Sequence, residues 1–171
     1  MTQQALLPDA ASARLSPDGL HRYSLTRSWG DGEKLGWCMF NPSTADASAN
    51  DATIRRCLGF ARDWGYEGIV VVNLFSWRAS DPKEVVRNLA DAANTFTDAV
   101  LLEVAEECKT VVCAWGSAAA QKWGRERAET VTGLLQIHCP NLVCLGRSPV
   151  SRQPLHPLYL PKSTPLEPYR P

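Results

Sequence analysis

The chain has 171 residues, with Lys+Arg and Asp+Glu both at 18 and a formal net charge of zero. That balance excludes a generally basic nucleic-acid coat, a polybasic membrane binder and an acidic disordered tail. A chain of this length buries roughly 70% of its unfolded surface, enough for one self-sufficient core without disulfide staples.

Residues 1–20 read as a loose lead-in containing Pro8 and Pro17, and 21–171 as a single domain. The lead-in lacks the basic start and apolar run of a signal peptide, and Asp9 and Asp18 also argue against one. The longest apolar runs, such as Ile69–Val72, fall far short of the roughly 20 residues of a bilayer span. Cytoplasm is the expected compartment.

His21–Trp29 reads as a strand, paired antiparallel at an edge. Gly36–Phe40 is a short apolar strand closed by Asn41-Pro42. In Asn50–Trp64, Ile54, Leu58, Ala61 and Trp64 recur at helical spacing, with Asn50 or Asp51 as N-cap. Gly68–Asn73 (GIVVVN) is β-branched without alternation, as expected of a strand buried on both faces. Asn94–Cys108 is helical, with Phe96, Val100, Leu101 and Val104 as its apolar stripe and Glu103, Glu106 and Glu107 on the wet face. Thr110–Trp115 is a third buried strand, followed by a helix through Trp123 and another over Arg125–Leu135. Asn141–Leu145 is the fourth. Leu155–Pro171, with five prolines, is expected to wrap the surface as extended chain. Apolar strands alternating with helices predict an α/β fold: a three-layer α/β/α sandwich around a mostly parallel four-stranded sheet.

The six cysteines lack a CxxC knuckle, and Cys38, Cys113 and Cys144 sit inside apolar runs, where a thiol behaves as a small hydrophobe. They read as buried thiols. The competing reading is a cluster on Cys108, Cys113, Cys139 and Cys144, from their repeated spacing. With three histidines in the chain, a histidine-rich metal centre is not expected, and no metal or cofactor is assigned. No G-x-S-x-G, H-E-x-x-H, P-loop or G-x-G-x-x-G follows the strands.

Ligands of open parallel sheets bind beyond the carboxyl ends of the strands. The segments placed there are Asn41-Pro42-Ser43 through Asp46 and on to Asn50-Asp51-Ala52-Thr53, Asn73 through Arg78, Trp115-Gly116-Ser117, and Arg147 with the later His156 and Tyr159. Singly, each has a structural explanation: Asn41-Pro42 as a capped turn, Asn73 as a cap, Trp115-Gly116 as packing, His156 as a proline-fixed surface residue. Their convergence on one sheet edge points to a binding site.

FNPSTADA at 40–47, NDATIRRC at 50–57, WGYEGIVVVNLFSWRASDP at 64–82, AWGS at 114–117 and QPLHPLYL at 153–160 resemble the bacterial and phage domain-of-unknown-function family 1643, over about Arg22 to Leu160. The order of the motifs is also similar to the uracil-DNA glycosylase superfamily: Asn41-Pro42 after the first strand, GIVVVN ending in Asn73, the AWGSAAAQK run at 114–122, and His156-Pro157 with Leu160. That resemblance implies a glycosylase-like fold and cleavage of the N-glycosidic bond of a base in nucleic acid or nucleotide. Asn73 would read the base edge, Phe75 or Trp77 would stack on it, and His156 would donate to the leaving base. Asn41 would orient a water and Asp46 would assist. Pro42, Ser43, Arg78, Trp115, Gly116, Ser117 and Tyr159 would complete the substrate site, with Arg55, Arg56 and Arg147 on phosphates. The alternative is a non-catalytic module that binds a nucleobase or nucleotide. If the partner is DNA, net neutrality makes the binding weak and salt-sensitive.

Overall fold

The computed structural model describes residues 10–171. Seven strands form one mixed sheet: β1 (Ala10–Leu15), β2 (Arg22–Ser28), β3 (Lys34–Met39), β4 (Gly68–Asn73), β5 (Thr110–Cys113), β6 (Asn141–Cys144) and β7 (Glu167–Pro168). Their order is β1-β2-β4-β3-β5-β6-β7. The four apolar strands read from the sequence are the parallel centre, β4-β3-β5-β6. The sheet as a whole is larger than the expected four strands and mixed in direction, because β1 and β2 add antiparallel on one side and β7 on the other.

Three expectations are corrected. The strand at His21–Trp29 does pair antiparallel, but it is not the edge: β1 lies outside it, with Ala10 opposite Ser28. Residues 10–15 therefore belong to the sheet and not to a loose lead-in; residues 1–9 of that segment lie outside the described residues. β1 is almost wholly exposed, so backbone pairing holds it and its sequence carries no apolar alternation. Beyond β5, the chain forms a 3-10 turn at Gly116–Ala120 and then one continuous helix, α4 (Lys122–His138), where two helices were expected. Gln121 adopts an extended backbone (ψ 153°) that separates the turn from the helix.

The other helices are α1 (Ala52–Asp63), a short α2 (Lys83–Arg87) that carries no long apolar stripe, and α3 (Thr95–Glu107). Asp51 is the N-cap of α1, accepting from the Ile54 N–H at 2.8 Å, while Asn50 instead accepts from Arg27 Nε at 2.9 Å. Asn94 and Thr97 form a reciprocal capping box on α3.

Helices cover both faces. Ile54, Cys57, Leu58, Phe60 and Ala61 of α1 pack with Leu35, Trp37 and Val71 on one face. On the other, Val100, Leu101 and Val104 of α3 and Val131 and Leu135 of α4 pack with Cys38, Val70 and Val111. The connection leaving β3 thus feeds one face and that leaving the adjacent β5 feeds the other, which places a topological switch point between their carboxyl ends. The six thiols are free and buried. Burial raises their pKa, to about 12 for Cys38, and among the described residues no group of three or more His, Cys, Asp or Glu could hold a metal ion. No helix among them is long and apolar enough to cross a membrane.

Candidate functional site

A cavity of about 380 Å³ opens at the switch point, within the size range of small-molecule clefts (roughly 300–1,000 Å³). Of the site residues expected from the sequence, Asn41, Ser43, Asn73, Trp115 and His156 share its wall. They come from four different strand ends or loops, so their meeting depends on the topology. Asn41 and Ser43 follow β3, Asn73 ends β4 opposite Met39, Trp115 follows β5, and His156 belongs to the long segment after β6.

Asn73 is 2% exposed, and neither its Nδ2 nor its Oδ1 has a hydrogen-bond partner among the described residues. Leaving a buried donor and acceptor unpaired costs about 1–3 kcal/mol each. The rest of the strand, Gly68 to Val72, is apolar, so this amide is the strand's one polar side chain. Asn41 is oriented by its own neighbourhood: Nδ2 donates to the carbonyls of Pro42 at 3.0 Å, Trp77 at 3.4 Å and Ala79 at 2.9 Å. All its donor capacity goes into the backbone, which leaves Oδ1 as an acceptor at the cavity. Phe75 N–H on the Phe40 carbonyl and Ala79 N–H on the Pro42 carbonyl tie the same two loops together.

His156 Nδ1 accepts from the Leu158 N–H at 3.2 Å, which places the proton of the neutral ring on Nε2. Burial lowers its pKa, partly opposed by the Asp51 charge, so the ring is held neutral near pH 7 with Nε2–H as a donor. Gly116 explains the fit: its φ is +70°, and a Cβ there would stand 3.2 Å from the His156 Cβ. Its N–H donates to the Pro154 carbonyl at 3.0 Å. Glycine at 116 therefore supports the histidine segment from behind, rather than approaching a ligand itself. Trp115 is fixed by Nε1 donating to Gln153 Oε1 at 2.8 Å.

The remaining expected residues are not in the wall. Asp46 turns its carboxylate onto Ser48 and Ala49 in its own loop, and those hydrogen bonds lower its pKa. Phe75 is core, packed on Phe40 and Trp123. Trp77 stands edge-on to His21, and Arg78 donates to the Gly19 carbonyl. Pro42 is buried behind Asn41, and Ser117 pairs with Ser151 at the surface. Tyr159 is 92% exposed. The phosphate candidates are occupied elsewhere. Arg55 bonds the Asn50 carbonyl, Arg56 bonds the Pro157 and Leu160 carbonyls while lying 4.7 Å over Phe60, and Arg147 lies 4.8 Å over Tyr169. In each case a nearby backbone or ring partner captures a side chain that sequence position alone left open.

Among the other wall residues, Phe40 and Arg22 were missed, while Asp51 and Thr53 were expected at this sheet edge without a role. Phe40 takes the aromatic place expected of Phe75. Asp51, whose Oδ1 caps α1, is the carboxylate of the cavity in place of Asp46. Its position as a helix N-cap directly after a strand-end loop was the available signal. Arg22 carried none, since a charged residue at the start of a strand usually reads as exposed.

A family described as "Protein of unknown function (DUF1643)" matches residues 22–158. The chain belongs to this family. No curated protein and no solved structure was found to match it. The matched span contains every cavity residue named above.

Proposed function

We propose that the cavity binds a nucleobase and that the protein cleaves its N-glycosidic bond, in the manner of the uracil-DNA glycosylases whose motif order the sequence resembles. The observation that carries this is the buried Asn73 amide, with donor and acceptor both unpartnered in the wall of a base-sized cavity beside Phe40 and Trp115. A side-chain amide offers one donor and one acceptor in a plane, the complement of a base edge. Phe40 and Trp115 supply the aromatic faces on which a base stacks.

In this mechanism the bond from base nitrogen to C1′ breaks and its electron pair stays with the base. The neutral His156 Nε2–H donates to the base as negative charge grows there. Asn41 Oδ1 accepts a hydrogen bond from the water that attacks C1′, and Asp51 stabilises the cationic sugar and takes the water's proton. The water attacks late, after most of the bond to the base is broken, and gives its proton to Asp51 as its oxygen bonds C1′.

Release of free base is measured on single- and double-stranded DNA carrying uracil and modified bases, and on nucleosides and nucleotides. The expected result is a free base and a hydrolysed sugar on at least one substrate, abolished in Asn41→Ala and His156→Ala. Full activity in both variants would remove the catalytic assignment. Ligand-induced stabilisation without any released base would leave the non-catalytic binding module as the function.

A further inference from the structure

The cavity holds a second buried group without a partner, of a different kind. Arg22 is 3% exposed and lies in the wall. Nη1 donates to the Ala45 carbonyl at 2.8 Å, but Nε has no partner and the guanidinium forms no salt bridge among the described residues. A buried charge normally has a counter-ion, because desolvating it alone is costly. Among the described residues none is in direct contact with it. Asp46 and Asp51 are the nearby carboxylates, and Arg27 and Arg78 add two more guanidiniums, leaving three positive charges against two negative. Burial lowers the Arg22 pKa to about 10, which still leaves it charged at neutral pH.

The same wall contains the start of α1, at Ala52 and Thr53. Asp51 satisfies the Ile54 N–H, while the N–H groups of Ala52 and Thr53 have no partner among the described residues. Free N–H groups at a helix start favour anions. Arg22 and these two N–H groups lie in one cavity wall with the amide of Asn73, beside the Asp51 carboxylate that caps the helix.

We infer that the substrate is a free nucleoside monophosphate, its base on Asn73 and its phosphate on Arg22 and the start of α1. This rests on the base-binding proposal above and narrows it from nucleic acid to mononucleotide. A polymer is read by exposed cations along a surface. Here the available cation is buried in the cavity wall, and the exposed Arg55 and the half-buried Arg56 and Arg147 are tied to carbonyls or a ring. A buried guanidinium suits a terminal phosphate that enters with its ligand.

The test is calorimetric titration with the five common nucleosides, their 5′- and 3′-monophosphates, inorganic phosphate, and a single-stranded oligonucleotide. At least one monophosphate is expected to bind tenfold or more tightly than its nucleoside and than the oligonucleotide. Arg22→Gln should abolish that advantage. Ala52→Pro removes one N–H at a helical position that accepts proline, after a residue already extended at ψ 179°, and should reduce the advantage without unfolding the protein. Equal binding of nucleoside and monophosphate, sensitive to Asn73→Leu, would overturn the phosphate corner and leave base recognition standing. Tighter binding of the oligonucleotide would overturn the mononucleotide. Arg22-dependent phosphate binding with no response to any nucleoside or nucleotide would overturn base recognition. Binding of none would overturn both.

Discussion

Two buried polar groups lie three residues apart in the chain and behave in opposite ways. Ser76 Oγ bonds His21 Nδ1 at 2.8 Å and Thr97 Oγ1 at 2.8 Å, and Thr97 in turn caps α3 through Asn94. Every partner in that set is protein, and the set joins the strand edge at His21 to the start of α3. Asn73, equally buried, has no partner for its side-chain amide among the described residues. The first is a polar network that the fold completes. The second, with Arg22, is left open at the cavity, and its partners must come from outside the chain. Trp37 Nε1 and Arg78 Nε are also buried without a partner among the described residues, so it is the position of Asn73 and Arg22 in the cavity wall that sets those two apart.

The sharpest way to break this contrast is substitution at both positions. Asn73→Leu, close in size, should abolish ligand-induced stabilisation while leaving the unfolding midpoint unchanged or higher, because an unpaired amide is removed. Ser76→Ala should do the reverse. It leaves His21 and Thr97 short of a partner, costs about 1–3 kcal/mol, and lowers Tm by roughly 2–4 °C per kcal/mol, with binding retained. If both variants lower Tm equally, measured by calorimetry, the amide is structural.

Gly116→Ala should come next. A positive φ costs a non-glycine residue about 1–2 kcal/mol, and the added Cβ meets His156, so turnover should fall by more than the stability loss explains.

Acid should loosen the His156 segment by a smaller amount. Its folded pKa is lowered, so the unfolded chain binds the proton more readily. The neutral ring's stability contribution is complete above the ordinary histidine pKa of about 6.5 and is lost as pH falls from there through the lowered folded value. Denaturant titrations from pH 8 to 5 should show that slope, and His156→Gln should flatten it.

The smallest effect is expected at Tyr159, where Tyr159→Ala should change both Tm and binding by less than measurement error, given a side chain 92% exposed. A large loss of binding there would move the site to the surface.

The sequence alone determined the four parallel strands, since unbroken β-branched runs such as GIVVVN have one stable place, inside a sheet covered on both faces. It also determined α1 and α3, whose apolar spacing and caps agree, and it brought Asn41, Asn73 and His156 under suspicion through their positions after strands. Tertiary structure decided the rest. β1 and β7 are held by backbone pairing, which leaves no mark in side-chain pattern. Whether a polar side chain serves the cavity or the scaffold depends on which backbone carbonyl or ring lies within reach. Arg56 is captured by the Pro157 and Leu160 carbonyls and Asp46 by its own loop, whereas Arg22 and Asn73 reach the cavity wall with bonding capacity to spare. Those partners lie up to 104 residues away in the chain, so only the folded topology, with its switch point between β3 and β5, brings them together.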